Sequence, residues 1–117
     1  MQRPPSRALQ DEFRRFQSMG QQLEMIAQQK AMIENSIKEK NRAIEEVETV
    51  ENETPIYKQI GGILIKSKKD TVLESLKDEK LTLEMRKKKF ERNETSMKKK
   101  FEEMRAKLQS KISDQEE

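Results

Sequence analysis

A chain of 117 residues has room for one domain at most, and we take residues 1–117 as a single unit. Charged residues make up 40% and hydrophobic ones 32%, too few for a globular core, while regular apolar spacing argues against disorder. What remains is an elongated coiled coil with a narrow apolar seam, and the absence of Cys and His removes disulfides, thiolate chemistry and the commonest general base.

The first helix is expected over 6–52. Pro4-Pro5 precedes it and Ser6 is a candidate N-cap. Steps of three and four then run Leu9, Glu12, Phe16, Met19, Leu23, Ile26, Lys30, Ile33, Ile37, Lys40, Ile44 and Val47, and 9 of these 12 sites are apolar. This is an a/d heptad seam. Pro55 disfavours helix at Thr54 and ends it.

Residues 55–67, PIYKQIGGILIKS, do not follow the helical period. Two short apolar runs flank Gly61-Gly62, which predicts a β-hairpin. With a two-residue loop, Ile60 faces Ile63, Lys58 faces Ile65 and Ile56 faces Ser67. These six sites share one face and four of them are Ile, while Tyr57, Gln59, Leu64 and Lys66 lie on the other. An isolated hairpin is marginally stable in water, and its edges invite pairing. The helices use their apolar stripes on each other, so the hairpin is expected to pair with hairpins of other chains in an intersubunit β-barrel. Ile56, Tyr57, Ile60, Gly61, Gly62, Ile63, Leu64 and Ile65 are the candidate assembly residues.

The second helix is expected over 70–115. Asp70 or Thr71 is its candidate cap, and Thr71-Val72-Leu73-Glu74 fits a capping box. Its seam runs Leu73, Leu76, Lys80, Leu83, Lys87, Phe90, Glu94, Met97, Phe101, Met104, Leu108 and Lys111, with 8 of 12 sites apolar. The expected fold is mainly α, a long antiparallel coiled-coil hairpin with a short central β-hairpin. Residues 1–54 carry 8 Lys+Arg against 10 Asp+Glu, and residues 55–117 carry 17 against 12, an opposite bias that suits side-by-side helices. Val47 is then expected near Leu73, and Phe16 near Met104.

Both helix ends meet far from the hairpin. Leu9, Phe13, Phe16 and Met19 stand on one strand of the coil, and Phe101, Met104, Leu108 and Ile112 on the other. Read from the residues alone, these are coiled-coil core or a binding tip. Gly20, a poor helix former, sits just inward and would loosen this end. Met suits poorly defined apolar partners.

The run Tyr57-Lys58-x-Ile60-Gly61-x-Ile63-Leu64-Ile65-Lys66, set between two helices, closely resembles a β-class prefoldin subunit. The resemblance extends from about Leu9 to about Ile112, and a single hairpin points to the β class. It implies a hexamer of two α-class and four β-class subunits, with hairpins in a double β-barrel platform. It implies an ATP-independent holdase that captures unfolded proteins at the coil tips and delivers them to a group II chaperonin. The eight tip residues would then be client-binding. The Lys-rich clusters of the second helix are heavier than the family pattern.

Other signals carry less. Arg86-Lys87-Lys88-Lys89 and Lys98-Lys99-Lys100 have glutamates interleaved and no aromatic platform, so a solvated face is expected rather than nucleic-acid binding. GGILIKS lacks the Gly that a phosphate-binding loop needs before Lys-Ser. Adjacent carboxylates such as Glu45-Glu46 have no pocket to converge on, so no enzyme, cofactor or metal is expected. The N-terminal residues lack an apolar leader and no run approaches a membrane span, so the expected location is cytoplasmic. The alternatives are a scaffold binding one specific partner and a nucleic-acid-binding helical protein.

Overall fold

The computed structural model describes residues 6–116, with side chains through Asp114. Helix α1 spans Arg7–Glu48, strands β1 Ile56–Ile60 and β2 Ile63–Ser67 form one antiparallel sheet, and helix α2 spans Lys69–Glu116. The fold class is the one expected, mainly α, with two long helices joined through a two-stranded antiparallel sheet. Two compact units divide it, residues 1–30 with 89–117 and residues 31–88.

The first unit pairs the N-terminal part of α1 with the C-terminal part of α2. Ser6 caps α1, its Oγ accepting from the Leu9 amide at 3.1 Å, as expected. Leu9 and Leu108 are the buried apolar residues, at 4% and 3% exposure. Phe16 stacks on Phe101 with centroids 4.4 Å apart and planes at 12°. The ring partner of Phe16 is therefore one seam step away from Met104. Charged seam sites also meet, Lys111 donating to Glu12 at 2.6 Å and Lys30 to Glu94 at 3.1 Å. Numbers that rise on one helix and fall on the other mark the pairing as antiparallel.

The second unit holds the remaining helix pair and the sheet. Ile44 is its buried residue. Lys40 donates to Glu79 at 2.5 Å, and Lys87 lies 3.6 Å from Glu34. All 24 seam positions of the two helices are buried or half-buried. Their charged members are Glu12, Lys30, Lys40, Lys80, Lys87, Glu94 and Lys111, and every one has an ion pair. Removing a charge from water is costly without a partner, so paired polar seam sites are tolerated where lone ones are not.

Two boundaries differ from expectation. Helix α1 stops at Glu48 rather than 52. Thr49 Oγ1 donates to the Glu46 carbonyl at 2.7 Å, offering the backbone a non-helical partner. The Lys69 ammonium then donates to the carbonyls of Glu48 and Val50, at 3.0 and 2.7 Å, and closes the helix end. Helix α2 begins at Lys69, and the Lys68 carbonyl already accepts from the Val72 amide. Asp70 and Thr71 are thus both inside the first turn, and neither caps it. Asp70 remains in that turn, where a carboxylate favours the helix dipole.

The ion pairs give stability a defined acid limb. The Lys111 hydrogen bond holds the Glu12 carboxyl below its ordinary value of 4.5, and the Lys40 hydrogen bond does the same for Glu79. Both values are lowered by folding, so their contribution is present above the unfolded value and is lost as pH falls through the folded one. Thermal unfolding followed by circular dichroism should show a midpoint that drops below pH 4.5. Glu12→Gln and Glu79→Gln should each lower the midpoint near neutral pH and flatten that acid limb. An unchanged acid limb in both variants would remove these pairs from the account.

Candidate functional site: the helix ends and the hairpin edges

At the helix ends, the eight candidate residues fall into three environments. Leu9 and Leu108 are buried, Phe13, Phe16, Met19, Phe101 and Met104 are half-buried, and Ile112 is 37% exposed. Phe13 directly follows Glu12 and Ile112 directly follows Lys111, so both flank the same ion pair. In this closed arrangement little of the apolar set reaches water. Offering it to a partner requires the last turns to part, as helix ends do most readily. Gly20 lies against the Phe101 ring, with 3.5 Å between Cε2 and the place a Cβ would occupy. That is ordinary contact, so a methyl group fits there.

The hairpin presents the opposite picture. Its register pairs Ile56 with Ser67, Tyr57 with Lys66, Lys58 with Ile65, Gln59 with Leu64 and Ile60 with Ile63, as expected. Gly61 has φ of 59° and Gly62 is not in the left-handed region, the pattern of a type II′ turn. Tyr57, Ile60, Ile63, Leu64 and Ile65 are between 46% and 66% exposed. Ile56 and Ser67 are half-buried at the hairpin base. The two strands pair only with each other, so each keeps one open edge. Lys66 and Ser67 stand on β2 and do not open a helix, which removes the geometry a phosphate-binding loop needs.

Some features were not anticipated. A groove of about 470 Å³ lies between the hairpin base and the helices, lined by Val47, Ile56, Tyr57, Val72, Leu76 and six other residues besides Lys40. Met25, Met32, Leu81 and Met85 are each more than half exposed. The sequence signal for them is simple, since all four are apolar residues off the a/d seam. Among the described residues no helix is long and apolar enough to cross a membrane.

The turn geometry is testable. Gly61→Ala should destabilise the hairpin by about 1 kcal/mol, because an L side chain is strained at positive φ. Gly62→Ala should cost clearly less, since Gly62 does not have a positive φ and, as at Gly61, nothing lies within 4 Å of an added Cβ. Amide hydrogen exchange across β1 and β2 measures both. Equal loss of protection in the two variants would refute the turn assignment.

Comparison with known proteins agrees with this geometry. The profile of a family described as prefoldin subunit matches residues 10–115. The chain is 38% identical over 100 residues to the prefoldin subunit beta of Archaeoglobus fulgidus, covering 86% of each chain. It is 33% identical over 110 residues to that of Saccharolobus islandicus, covering 94% of this chain and 86% of the other. The crystal structure of the prefoldin beta subunit from Thermococcus strain KS-1 superimposes with a TM-score of 0.86 at 32% identity, covering 94% of this chain and 96% of that one. Since the match runs through both helices and the hairpin alike, this chain belongs to the prefoldin family of chaperone subunits and, within it, to the β type.

Proposed function

We propose that this chain is one subunit of a hetero-oligomeric holdase, joined to its partners through the hairpin and holding non-native proteins at the helix ends. The observation that carries this reading is the exposed hairpin, with Ile60, Ile63, Leu64 and Ile65 in water beside two open edges. Covering apolar surface is worth roughly 25 cal/mol per Å², so these side chains and edges favour pairing with like hairpins. A closed barrel would satisfy both at once. The partners are α-class subunits and further β-class copies, two and four in a hexamer, as the family resemblance implies.

Holding then falls to Leu9, Phe13, Phe16, Met19, Phe101, Met104, Leu108 and Ile112. Each end offers a small apolar surface and a weak contact. Several ends on one platform gain roughly 10²–10⁴ over a single site by multivalency. No step in this scheme needs a nucleotide. Release to a group II chaperonin in the cytoplasm completes it.

Two measurements test the scheme. The native mass of the complex formed with an α-class partner should correspond to six chains of more than one kind. Deleting residues 1–19 and 101–117 should abolish suppression of aggregation for several unrelated refolding proteins while that mass falls only by the deleted residues. Full activity after truncation would refute the helix-end assignment, and one tight folded partner without general holding would favour a scaffold. Gly20→Ala is expected to stabilise the chain by about 0.5–1 kcal/mol, since glycine weakens a helix interior. If parting of the ends exposes the apolar set, the same variant should hold clients less well at equal concentration.

A further inference from the structure

The Lys-rich clusters of α2 are interleaved with glutamates in sequence but only partly compensated on the helix surface, where Lys87 and Lys98 have ion pairs. Letter each heptad a to g with the seam at a and d, so that a falls on Leu9 and on Leu73. In the first unit Glu91, Glu94 and Glu102 then occupy e, a and b. Lys89, Arg92, Lys99, Lys100 and Lys107 occupy c, f, f, g and g, a flank that turns away from e and a and meets b only where Lys99 adjoins Glu102. In an antiparallel pair the g side of one helix adjoins the g side of its partner. Arg15, a g residue of α1, joins that side, and both Arg15 and Lys107 act electrostatically on Glu12. All six cations are exposed. Among the described residues none has a carboxylate within 4 Å, whereas Lys98 and Arg105 on the e side are paired with Glu94 and Glu102. Glu103 is the one acid on this face between Lys89 and Lys107, and beyond it Asp11 and Asp114 end the basic run.

We propose that this face of the first unit, Lys89 to Lys107 with Arg15, binds acidic polypeptide segments in extended conformation. Three features favour a polypeptide. Successive cations of one row, Arg92 and Lys99 or Lys100 and Lys107, are seven residues apart, or about 10.5 Å along the helix. An extended chain advances about 3.3 Å per residue, so acids three apart meet that spacing. Between the cations stand Gln22, Gln29, Asn93 and Ser96, neutral groups that can bond a peptide backbone, and Met25, 58% exposed, which can take an apolar side chain. No aromatic stands on this face, and single-stranded nucleic acid is held by cations together with aromatic stacking. Arg15 and Lys107 of this face lie within the helix ends, while Lys89, Arg92, Lys99 and Lys100 lie inward of the eight apolar residues proposed to hold clients or beside them on another side of the helix.

The experiment is fluorescence anisotropy at low ionic strength with the full chain. The probes are a labelled peptide of seven Glu-Gly-Ser repeats, its Gln-Gly-Ser counterpart and an oligothymidylate of similar length. The Glu peptide should bind, and the Gln peptide should not. Arg92→Gln with Lys100→Gln should weaken binding roughly fivefold, the scale of two exposed charge contacts. Lys98→Gln with Arg105→Gln removes the same charge from the opposite side and should leave binding within about twofold. Circular dichroism of both variants checks that the helices form, and Lys89→Gln with Lys99→Gln repeats the test if the first variant does not fold. No binding of the Glu peptide by the parent overturns the proposal. So does equal loss in both double variants, which would mark a net-charge effect. Tighter binding of oligothymidylate that is lost on Arg92→Gln with Lys100→Gln would make the face a nucleic-acid surface instead. Suppression of aggregation for clients without acidic runs is expected to stay unchanged, which separates this face from the helix ends.

Discussion

Placing charges in an apolar seam is the constraint on which the rest of the structure depends. The seam is narrow, with Leu9, Ile44 and Leu108 as the buried apolar residues among those described. Such a seam by itself tolerates sliding, because one Ile or Leu replaces another at small cost. Charges do not slide. Glu12 meets Lys111 and Lys30 meets Glu94 within one unit, and Lys40 meets Glu79 and Lys87 meets Glu34 within the other. A slip of seven residues would bring Lys30 to Lys87 or Phe101, and Glu12 to Met104. Each alternative leaves a half-buried charge beside an apolar group or a like charge, so the ion pairs select one register and one direction. The phenylalanine stack of Phe16 on Phe101 depends on that register too.

With the register set, the apolar residues divide between two uses. Those on the seam satisfy each other within the chain. Those on the hairpin do not. The chain turns sharply at Gly61, whose positive φ needs no Cβ, and returns through β2 into α2 with only Lys68 between. Lys69 ties the start of α2 to the end of α1 through two carbonyls, so both connections of the hairpin are anchored at its base. The tip beyond that anchor remains in water with open edges. A family whose members assemble into larger particles is the setting in which such a hairpin is stable, since two strands alone bury too little.

The helix surfaces follow the same logic of sidedness. Lysines and glutamates alternate along α2, which suggests mutual compensation. The helical angle separates many of them, because residues at c and g look away from those at e, although Lys99 at f adjoins Glu102 at b and Glu103 stands at c. Pairs three or four apart that share a side do form, as with Lys98 and Glu94 or Arg105 and Glu102. In the first unit the remaining cations of α2 gather on one flank. Among the described residues no polar side chain is buried, so the chain's surface chemistry is set by which side and which end each residue occupies.

Much was legible in the sequence. The unbroken steps of three and four fixed both helices, and every seam site they named is buried or half-buried. Gly61-Gly62 between two apolar runs determined the hairpin and its pairing, because a two-residue loop permits one register. Ser6 was readable as a cap because its side chain acts on neighbouring amides. Tertiary structure decided what depends on residues distant in the chain. Helix α1 ends at Glu48, where Lys69, on the other helix, takes the Glu48 carbonyl and that of Val50 just beyond. The Thr71 box is not used because β2 runs into α2 earlier than local signals suggest. Phe16 meets Phe101 because ion pairs on either side of it set the stagger. Spacing along one helix names the seam, but only the partner helix settles which seam residues touch.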